Sequence, residues 1–303
     1  MKIAFITINF HSDEDTLELI KQLAKNAVPL GVISTIYVVD NERSEDIKNK
    51  LKKYPQVVYV ESPGNIGFAA GNNLGFRKAL EDENDVLVLI NNDTLVPEDF
   101  ILKVLASPIS EKNVGAVGGL IYFAKGFEFE NKYKKDELGR VIWYAGGEYD
   151  WDNVYAKHIG VNEVDNGQFD GQVETDFITG CLFITKSEVL KKIGLFDERY
   201  FLYFEDSDLG MRIKKADFKL IVDSNVKIWH KVAQSSAIGS SLNDYFITRN
   251  RLLFGMEYAR VRTKLALLRE SLKKSFSGTK AQKLAIHDYY MRKFGGGSWI
   301  KKI

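Results

Sequence analysis

The 303-residue sequence has a single cysteine, Cys181, and only five prolines. One cysteine cannot form an internal disulfide, so nothing requires an oxidising compartment, and we expect a cytoplasmic protein. No stretch approaches the roughly 20 uninterrupted apolar residues that a membrane-spanning helix needs. The apolar run after Lys2 already ends at Thr7, so it predicts a first strand and not a secretion leader. These absences favour a soluble protein or one attached peripherally to a membrane.

Acidic residues are scarce near the C-terminal end. Residues 249–303 contain 14 lysines and arginines but three acids, whereas the whole chain has a net charge of +1. Basic residues surround the apolar run 265–268 at Arg260, Arg262, Lys264, Arg269, Lys273 and Lys274. This pattern favours a basic amphipathic helix at the inner face of a membrane; the alternatives are a homo-oligomer contact and a solvated helix face. The acidic remainder of the chain disfavours nucleic acid as a partner.

The first half of the sequence alternates short β-branched runs with amphipathic segments. Strands are predicted at 2–9, 35–40, 57–61 and 85–90, and helices at 14–28, 45–54 and 69–81. A fourth helix should start after Pro97, because proline and acids favour a first helical turn. This alternation is typical of an α/β fold, in which helices flank a mostly parallel sheet.

The second half is less regular. We expect a strand at 114–123, hairpins and loops over 124–171, and one strand over 173–185, with Ser187 capping a short helix. A helix at 206–215 and short strands at 219–222 and 226–229 follow. Beyond Leu242 the pattern is helical to Phe294, with a break near 277–278. We therefore predict a domain over 1–240 and a basic helical extension over 241–303.

Polar side chains follow three of the predicted strands where each strand ends. They are Thr7 and Asn9 on the first, Asp40 on the second, and Asn91, Asn92 and Asp93 after the fourth. Ligands bind beyond the carboxyl ends of the strands in such sheets. Asp40 suits a pyrimidine or ribose, and Asp93 suits Mg²⁺ or Mn²⁺, which prefer oxygen ligands. Each residue alone is equally typical of an ordinary turn or helix cap.

A glycine-rich stretch, 64–75, leads from the third strand into a helix. The helix N-terminus would offer free N–H groups to a phosphate. The stretch is neither a phosphate-binding loop of the GxxxxGK[ST] type nor a dinucleotide fingerprint, since it follows the third strand and has asparagine where glycine is required.

Acids and aromatic residues are dense over 196–212. Aromatic surroundings reduce the solvation of Asp206, which raises the proton affinity of a carboxylate and suits a general base. Alternatively, Asp206 and Asp208 cap a helix, with Arg212 pairing back to Asp208. His230, at a predicted strand end, is either a hydrogen-bonded core histidine or a partner of Asp93 in a metal or pyrophosphate site.

Taken in order, these segments resemble the inverting family 2 glycosyltransferases with the GT-A fold, in particular their rhamnosyltransferase-like branch of bacterial polysaccharide synthesis. The resemblance spans roughly residues 1–255. It is carried by residues 38–41, 65–73, 91–94, 179–184, 194–198 and 204–209, with additional support from His230, Arg249 and Asn250.

The resemblance implies a role for individual residues. Asp206 matches the base in the family's Glu-Asp motif, which begins here at Glu205, and Asp93 matches the last acid of the DXD metal motif, with His230 beside it. The residues implied in donor binding are Thr7, Asn9, Asp40, Asn65, Phe68, Asn72, Asn91, Asn92 and Gly180. Asn91 replaces the first acid of the metal motif, so only Asp93 brings charge to the cation.

The expected reaction is transfer of a sugar from a UDP- or dTDP-sugar to a glycan or lipid-linked acceptor, assisted by a divalent cation. A nucleotidyltransferase is disfavoured because residues 9–13 after the first strand lack a Gly-rich loop with arginine and lysine. The other alternative is a nucleotide-sugar-binding or scaffold protein on an inactive transferase fold, in which we would expect Asp93 or Asp206 to be lost.

Overall fold

Parallel strands covered by helices form the first half of the fold, as the sequence predicts. The computed structural model describes residues 1–232 and 240–300. Its first strands are β1 (Lys2–Asn9), β2 (Ile33–Asp40), β3 (Val57–Glu61) and β4 (Val86–Ile90). The helices between them are α1 (Asp13–Lys25), α2 (Glu45–Leu51) and α3 (Gly67–Glu81). The side chains of β4 are all buried, because helices cover both faces of the parallel sheet.

The later elements widen this sheet. They are β5 (Thr94–Leu95), α4 (Phe100–Ala106), β6 (Val114–Phe123), β7 (Ile142–Tyr144), β8 (Gly147–Asp150), β9 (Tyr155–His158), β10 (Gln172–Glu174), β11 (Leu182–Lys186), α5 (Ser187–Ile193), α6 (Glu205–Lys215) and β12 (Lys219–His230). The strand order is β10-β12-β6-β11-β4-β1-β2-β3, with β5 against β12 and β7 against β6, while β8 and β9 form a separate hairpin. The sheet is therefore mixed, since β11 is antiparallel to both β4 and β6.

Three local predictions in the second half are wrong. Residues 173–185 are not one strand, because the chain leaves the sheet at Thr175, whose hydroxyl bonds both backbone groups of Gly147. It re-enters the sheet as β11, which is separated from β10 by β12 and β6. The hydroxyl of Ser187 donates to the carbonyl of Asn84 and does not cap α5. The two short strands at 219–222 and 226–229 are one strand, β12, interrupted by a register shift between Asp223 and Lys227.

Helices make up the C-terminal part. They are α7 (Ser241–Tyr258), α8 (Val261–Ser277), α9 (Lys280–Tyr290) and α10 (Gly297–Ile300). The predicted break at 277–278 is confirmed, but a second break separates α7 from α8, and none was expected there. Within residues 1–232 and 240–300, no helix has the length and apolarity needed to cross a bilayer. The predicted domain boundary at residue 240 adjoins residues 233–239, outside the described part, and stays a prediction.

The predicted apolar run of α8 does not form a single face. Leu267 is buried at 2% exposure and contacts Gly255 of α7, whereas Leu265 is 51% exposed. Two residues along a helix lie about 200° apart around its axis, so these side chains must point in nearly opposite directions. The part of the run that is available to a partner is therefore on the Leu265 side.

Candidate active site

Polar side chains from neighbouring strands meet at the carboxyl edge of the sheet. Asn9 donates to Asp13 at 2.7 Å and to Asp40 at 3.3 Å, and it accepts from the hydroxyl of Thr16 at 2.7 Å. The same hydroxyl accepts from Asn92 at 2.8 Å. Thr16 thus connects the end of β1 to the segment that follows β4, a role that sequence analysis did not identify.

The carboxylate of Asp40 is occupied by its own surroundings. Besides Asn9, it accepts hydrogen bonds from the backbone N–H groups of Glu42 and Ser44 and from the hydroxyl of Tyr59. A carboxylate has about four acceptor sites, so these bonds use its full capacity. Asp40 therefore holds the turn between β2 and α2, and a nucleobase would have to replace one of these bonds.

Unsatisfied polar atoms lie close to this edge. The hydroxyl of Thr7 and the amide oxygen of Asn72 are buried without a hydrogen-bond partner among the described residues. The amide nitrogen of Asn72 is satisfied, because it donates to the carbonyl of Phe68 at 3.0 Å. Buried polar groups are normally paired in folded proteins, so each of these two unpaired atoms indicates a place where a polar ligand completes the structure.

The expectation that α3 offers free N–H groups to a phosphate is wrong for its first three residues. The N–H of Gly67 donates to the side chain of Asn65 at 3.1 Å, and those of Phe68 and Ala69 donate to the carbonyl of Phe201 at 2.7 and 3.2 Å. The start of this helix is thus attached to the segment that precedes α6. Asn65 itself is exposed.

Asp206, Gly180 and Phe68 come together in space. The backbone N–H of Gly180 donates to the carboxylate of Asp206 at 3.1 Å, and the N–H of Ser207 donates to it as well, at 2.6 Å. A side chain on Gly180 would lie only 3.0 Å from the ring of Phe68, so glycine leaves room beside the carboxylate. The structure therefore brings together three residues that are 26 or more positions apart.

The adjacent carboxyl groups of Glu205 and Asp206 differ in environment. Glu205 is buried, one of its oxygens has no partner among the described residues, and burial together with the charge of Asp206 raises its pKa far above the usual range. Burial also raises the pKa of Asp206, but the N–H groups of Gly180 and Ser207 stabilise its charged form. Glu205 therefore holds the proton, and Asp206, which is only half-buried, is the carboxyl group that ionises first.

Asp208 has a structural role. It is buried and accepts hydrogen bonds from Arg212 at 2.8 Å and from the hydroxyl of Tyr258 at 2.6 Å. The pairing of Asp208 with Arg212 is the alternative that the sequence left open. It applies to Asp208 and not to Asp206, which pairs with no cation among the residues that the structure describes.

A second pair joins Asp93 and His230, as expected from their positions after β4 and at the end of β12. The Nε2 atom of His230 lies 3.1 Å from a carboxylate oxygen of Asp93, and both side chains are buried. Burial disfavours the imidazolium, but Cys181 and Asp93 outweigh this effect and raise the pKa of His230. Cys181 follows Gly180 directly, so one short segment touches both the Asp206 and the Asp93 groups.

Trp143 and His158 complete the surroundings of His230, and the sequence did not identify them. The ring of Trp143 meets those of His230 and His158 edge-on, with centroids 4.6 and 4.5 Å apart. Burial lowers the pKa of His158 to about 4, so that ring is neutral at physiological pH. Their only sequence signal was the density of aromatic residues between 124 and 171.

Residues 199–204, here termed the clamp loop, lead into α6 through an unusual backbone. Phe201, Tyr203 and Phe204 have φ angles of 64°, 70° and 71°, in the left-handed region that non-glycine residues rarely adopt. Such residues cost about 1–3 kcal/mol each and persist only where surrounding contacts hold them. The start of the helix that carries Asp206 thus depends on contacts made by this loop.

Two adjacent residues of α7 hold the clamp loop. The amide of Asn250 donates to the carbonyls of Tyr200, Leu202 and Tyr203 at 2.8–2.9 Å. Arg249 is fully buried and donates to the carbonyls of Arg199 and Tyr200, as well as to the side chain of Asn250. Sequence analysis had given these residues no physical role. An arginine next to an asparagine in a segment that packs against a core nevertheless indicates that both side chains bind buried carbonyl groups.

Sequence comparison finds one matching family and several known proteins that resemble this chain. A family model described as glycosyltransferase like family 2 matches residues 2–255. The low-salt glycan biosynthesis hexosyltransferase Agl10 of Haloferax volcanii is 24% identical over 83% of this chain and 74% of its own length. Rhamnosyltransferase WbbL of Escherichia coli is 24% identical over 72% of this chain and 79% of its own. An N-acetylglucosaminyl-diphospho-decaprenol L-rhamnosyltransferase of Mycobacterium tuberculosis is 24% identical over 61% of this chain and 62% of its own length.

Solved structures show the same fold at low sequence identity. GalNAc-T7, crystallised with UDP, GalNAc and Mn²⁺, superimposes with a TM-score of 0.66 and 15% identity over 99% of this chain, which spans 56% of that chain. The mannosyltransferase PcManGT of Pyrobaculum calidifontis, in complex with GDP-Man and Mn²⁺, gives a TM-score of 0.56 and 14% identity over 96% of this chain and 74% of its own. The expected GT-A fold is confirmed.

The clamp loop predicts a large stability effect for Asn250→Ala. The partly buried carbonyls of Leu202 and Tyr203 would lose this donor, and that of Tyr200 would keep its bond from Arg249, so we expect a loss of about 2–4 kcal/mol in the free energy of unfolding, measured by urea denaturation. Asn225→Ala is the matched control, because Asn225 is exposed and its amide bonds only Asp223. It should cost less than about 0.5 kcal/mol. Equal losses for the two variants would contradict the role given to Asn250.

Proposed function

Since the chain belongs to glycosyltransferase-like family 2, we propose that it transfers a sugar from a nucleoside-diphosphate sugar to a hydroxyl group of a glycan acceptor, with inversion at the anomeric carbon. The observation that carries this proposal is the environment of Asp206. Its carboxylate is half-buried, oriented by the N–H groups of Gly180 and Ser207, and has a raised pKa. These are the properties of a general base that has to work near neutral pH.

Asp206 takes the proton of the acceptor hydroxyl. The oxygen then attacks the anomeric carbon from the face opposite the nucleotide, a new C–O bond forms, and the bond to the phosphate oxygen breaks. The nucleoside diphosphate leaves, and the configuration is inverted without a covalent intermediate. Glu205 keeps its own proton throughout, so this pair carries one negative charge before the proton transfer and none after it.

The donor occupies the carboxyl edge of the sheet. Thr7 and Asn72 support this position, because each has a buried polar atom that a nucleotide could satisfy. Phe68 and Gly180 form the wall between this position and Asp206. The remaining residues at this edge hold the framework or line the site: Asn9, Asp40, Asn65, Asn91 and Asn92. We propose a UDP- or dTDP-sugar as donor, by similarity to the rhamnosyl- and hexosyltransferases that the chain matches.

Asp93 and His230 fit a divalent cation, Mg²⁺ or Mn²⁺, when the donor is bound. Their carboxylate and imidazole atoms lie 3.1 Å apart, so both can reach one ion. No group of three or more histidine, cysteine or acidic side chains suited to a metal occurs in the described residues, so the diphosphate must supply further ligands. The cation would neutralise charge on the leaving diphosphate. His230 has to lose its proton to become a ligand.

We propose that the acceptor is a glycan carried on a lipid, in cell-surface polysaccharide synthesis at the inner face of a membrane. The name of the mycobacterial relative includes a diphospho-decaprenol group, which supports this class of acceptor. A binding or scaffold protein without activity is the alternative. Nothing in the site favours it, since Asp93, Asp206 and Gly180 are all in place.

Asp206→Asn should abolish transfer while nucleotide binding remains. The amide cannot take up a proton, so we expect a loss of at least about a hundredfold in kcat, measured as nucleoside diphosphate release from a panel of sugar nucleotides with acceptor. Asp217→Asn is the control, because Asp217 is exposed and its left-handed backbone also suits asparagine. Transfer that survives in Asp206→Asn would place the base elsewhere. Binding of sugar nucleotides without any transfer by the natural protein would favour the scaffold alternative.

The pH dependence should follow the raised pKa of Asp206. A base acts only when ionised, so kcat should fall as the pH decreases through this raised pKa, above the range in which an exposed aspartate titrates. Glu205→Gln should leave this acidic limb in place, because the glutamine resembles an acid that is already protonated. A limb at ordinary aspartate values, or one that moves in Glu205→Gln, would contradict the assignment.

Asp93→Asn should weaken nucleotide binding only when the cation is present. Removing the charge removes the main protein ligand, so we expect an increase of at least about tenfold in the Kd for UDP with Mn²⁺, measured by calorimetry, and little change in EDTA. The matched variant Asp99→Asn lies on an exposed turn and should bind like the natural protein. An unchanged Kd in the Mn²⁺ arm would exclude Asp93 as a ligand.

A further inference from the structure

One side of α8 exposes a continuous apolar stripe. Val261, Leu265, Leu272 and Phe276, here termed the α8 face, are 74%, 51%, 63% and 77% exposed. Their spacing of four, seven and four residues places them on one side of a helix. The opposite side packs inward through Leu267, so α8 is held on the protein and its outer side remains uncovered among the described residues.

Basic side chains border the α8 face. Arg262, Arg269 and Lys273 are exposed on the same helix. The one acid of α8, Glu270, accepts from Arg251 at 2.9 Å and from Lys274 at 2.7 Å, and these cations lower its pKa to about 2 although burial opposes this. The carboxylate of Glu270 is therefore neutralised within the protein, and the charge that α8 presents to a partner is positive.

The next helix keeps this charge unopposed. Its only acid, Asp288, is buried and accepts hydrogen bonds from the hydroxyl of Tyr245 and from Ser298. Lys280, Lys283, Arg292 and Lys293 are exposed in and around α9. The two acids of residues 260–300 are thus both used internally, and this part of the surface combines apolar and basic groups.

We propose that the α8 face docks on a lipid bilayer that contains anionic lipids, with α8 lying in the plane of the membrane surface. The proposal rests on the proposed function, because a lipid-linked acceptor would be found at such a surface. The apolar side chains enter the region below the headgroups, and the arginines and lysines meet the lipid phosphates. A second copy of the chain fits less well, since pairing two such faces would bring the basic borders of both together.

Vesicle flotation tests the surface directly. The full chain is mixed with vesicles of phosphatidylcholine, or of phosphatidylcholine with phosphatidylglycerol, at low and high salt. We expect partitioning onto the anionic vesicles and weaker partitioning at high salt, since salt screens surface charges. The double variant Leu272→Glu/Phe276→Glu should lose at least about tenfold in partitioning at both salt concentrations. Leu30→Glu, at a fully exposed leucine outside the face, should bind vesicles like the natural protein.

A second pair of variants tests the charge. Arg269→Glu/Lys273→Glu should lose at least about tenfold in partitioning at low salt, whereas the control Lys112→Glu should not. All substituted residues are exposed, so thermal unfolding should be unchanged and will show that the variants fold. Vesicle binding that is equal in the face variants and in the natural protein overturns the proposal. The proposal is also overturned if the natural protein does not bind vesicles but sediments as a dimer that Leu272→Glu/Phe276→Glu dissociates.

Release of nucleoside diphosphate in detergent separates this proposal from the proposed function. The face variants should keep the natural rate there, since no residue of α8 takes part in the chemistry. If the natural protein transfers sugar but does not bind vesicles, the docking surface alone is rejected. Vesicle binding without transfer from any sugar nucleotide would reject the function alone.

Discussion

Two adjacent side chains, Arg249 and Asn250, hold the backbone on which the candidate site depends. They bind the carbonyls of the clamp loop, where three non-glycine residues adopt left-handed conformations. The carbonyl of Phe201 in the same loop accepts from the N–H groups of Phe68 and Ala69 at the start of α3. One strained segment therefore positions both α6, which carries Asp206, and the start of α3. A shift in this segment would move both sides of the site together.

Charge in the site is kept low by pairing. Glu205 stays protonated beside Asp206, and the charge of Asp93 is balanced by the imidazolium of His230. Segment 180–181 lies between the two pairs, so both pairs share one short stretch of backbone.

The sequence predicted those parts of the fold that depend on local patterns. The first four strands and three helices follow hydrophobic periodicity and were located within three residues at each end. The continuous strand over 173–185 failed because β-branched composition does not reveal that Thr175 bonds Gly147 and turns the chain. The free N–H groups expected at α3 failed because their partner, Phe201, is more than 130 residues away. Contacts between distant segments, such as that of Trp143 with His230, have no local signal.

The clamp loop is closed by residues from near the end of the chain. The carbonyl of Gly295 accepts from Arg249 at 2.6 Å, and its N–H donates to the carbonyl of Arg199 at 2.9 Å. During synthesis, the first strands and helices of the sheet can fold before these later residues have left the ribosome. Asp206 can reach its final position only after residue 295 has emerged. The candidate site is therefore completed only after a much later segment of the chain has been made.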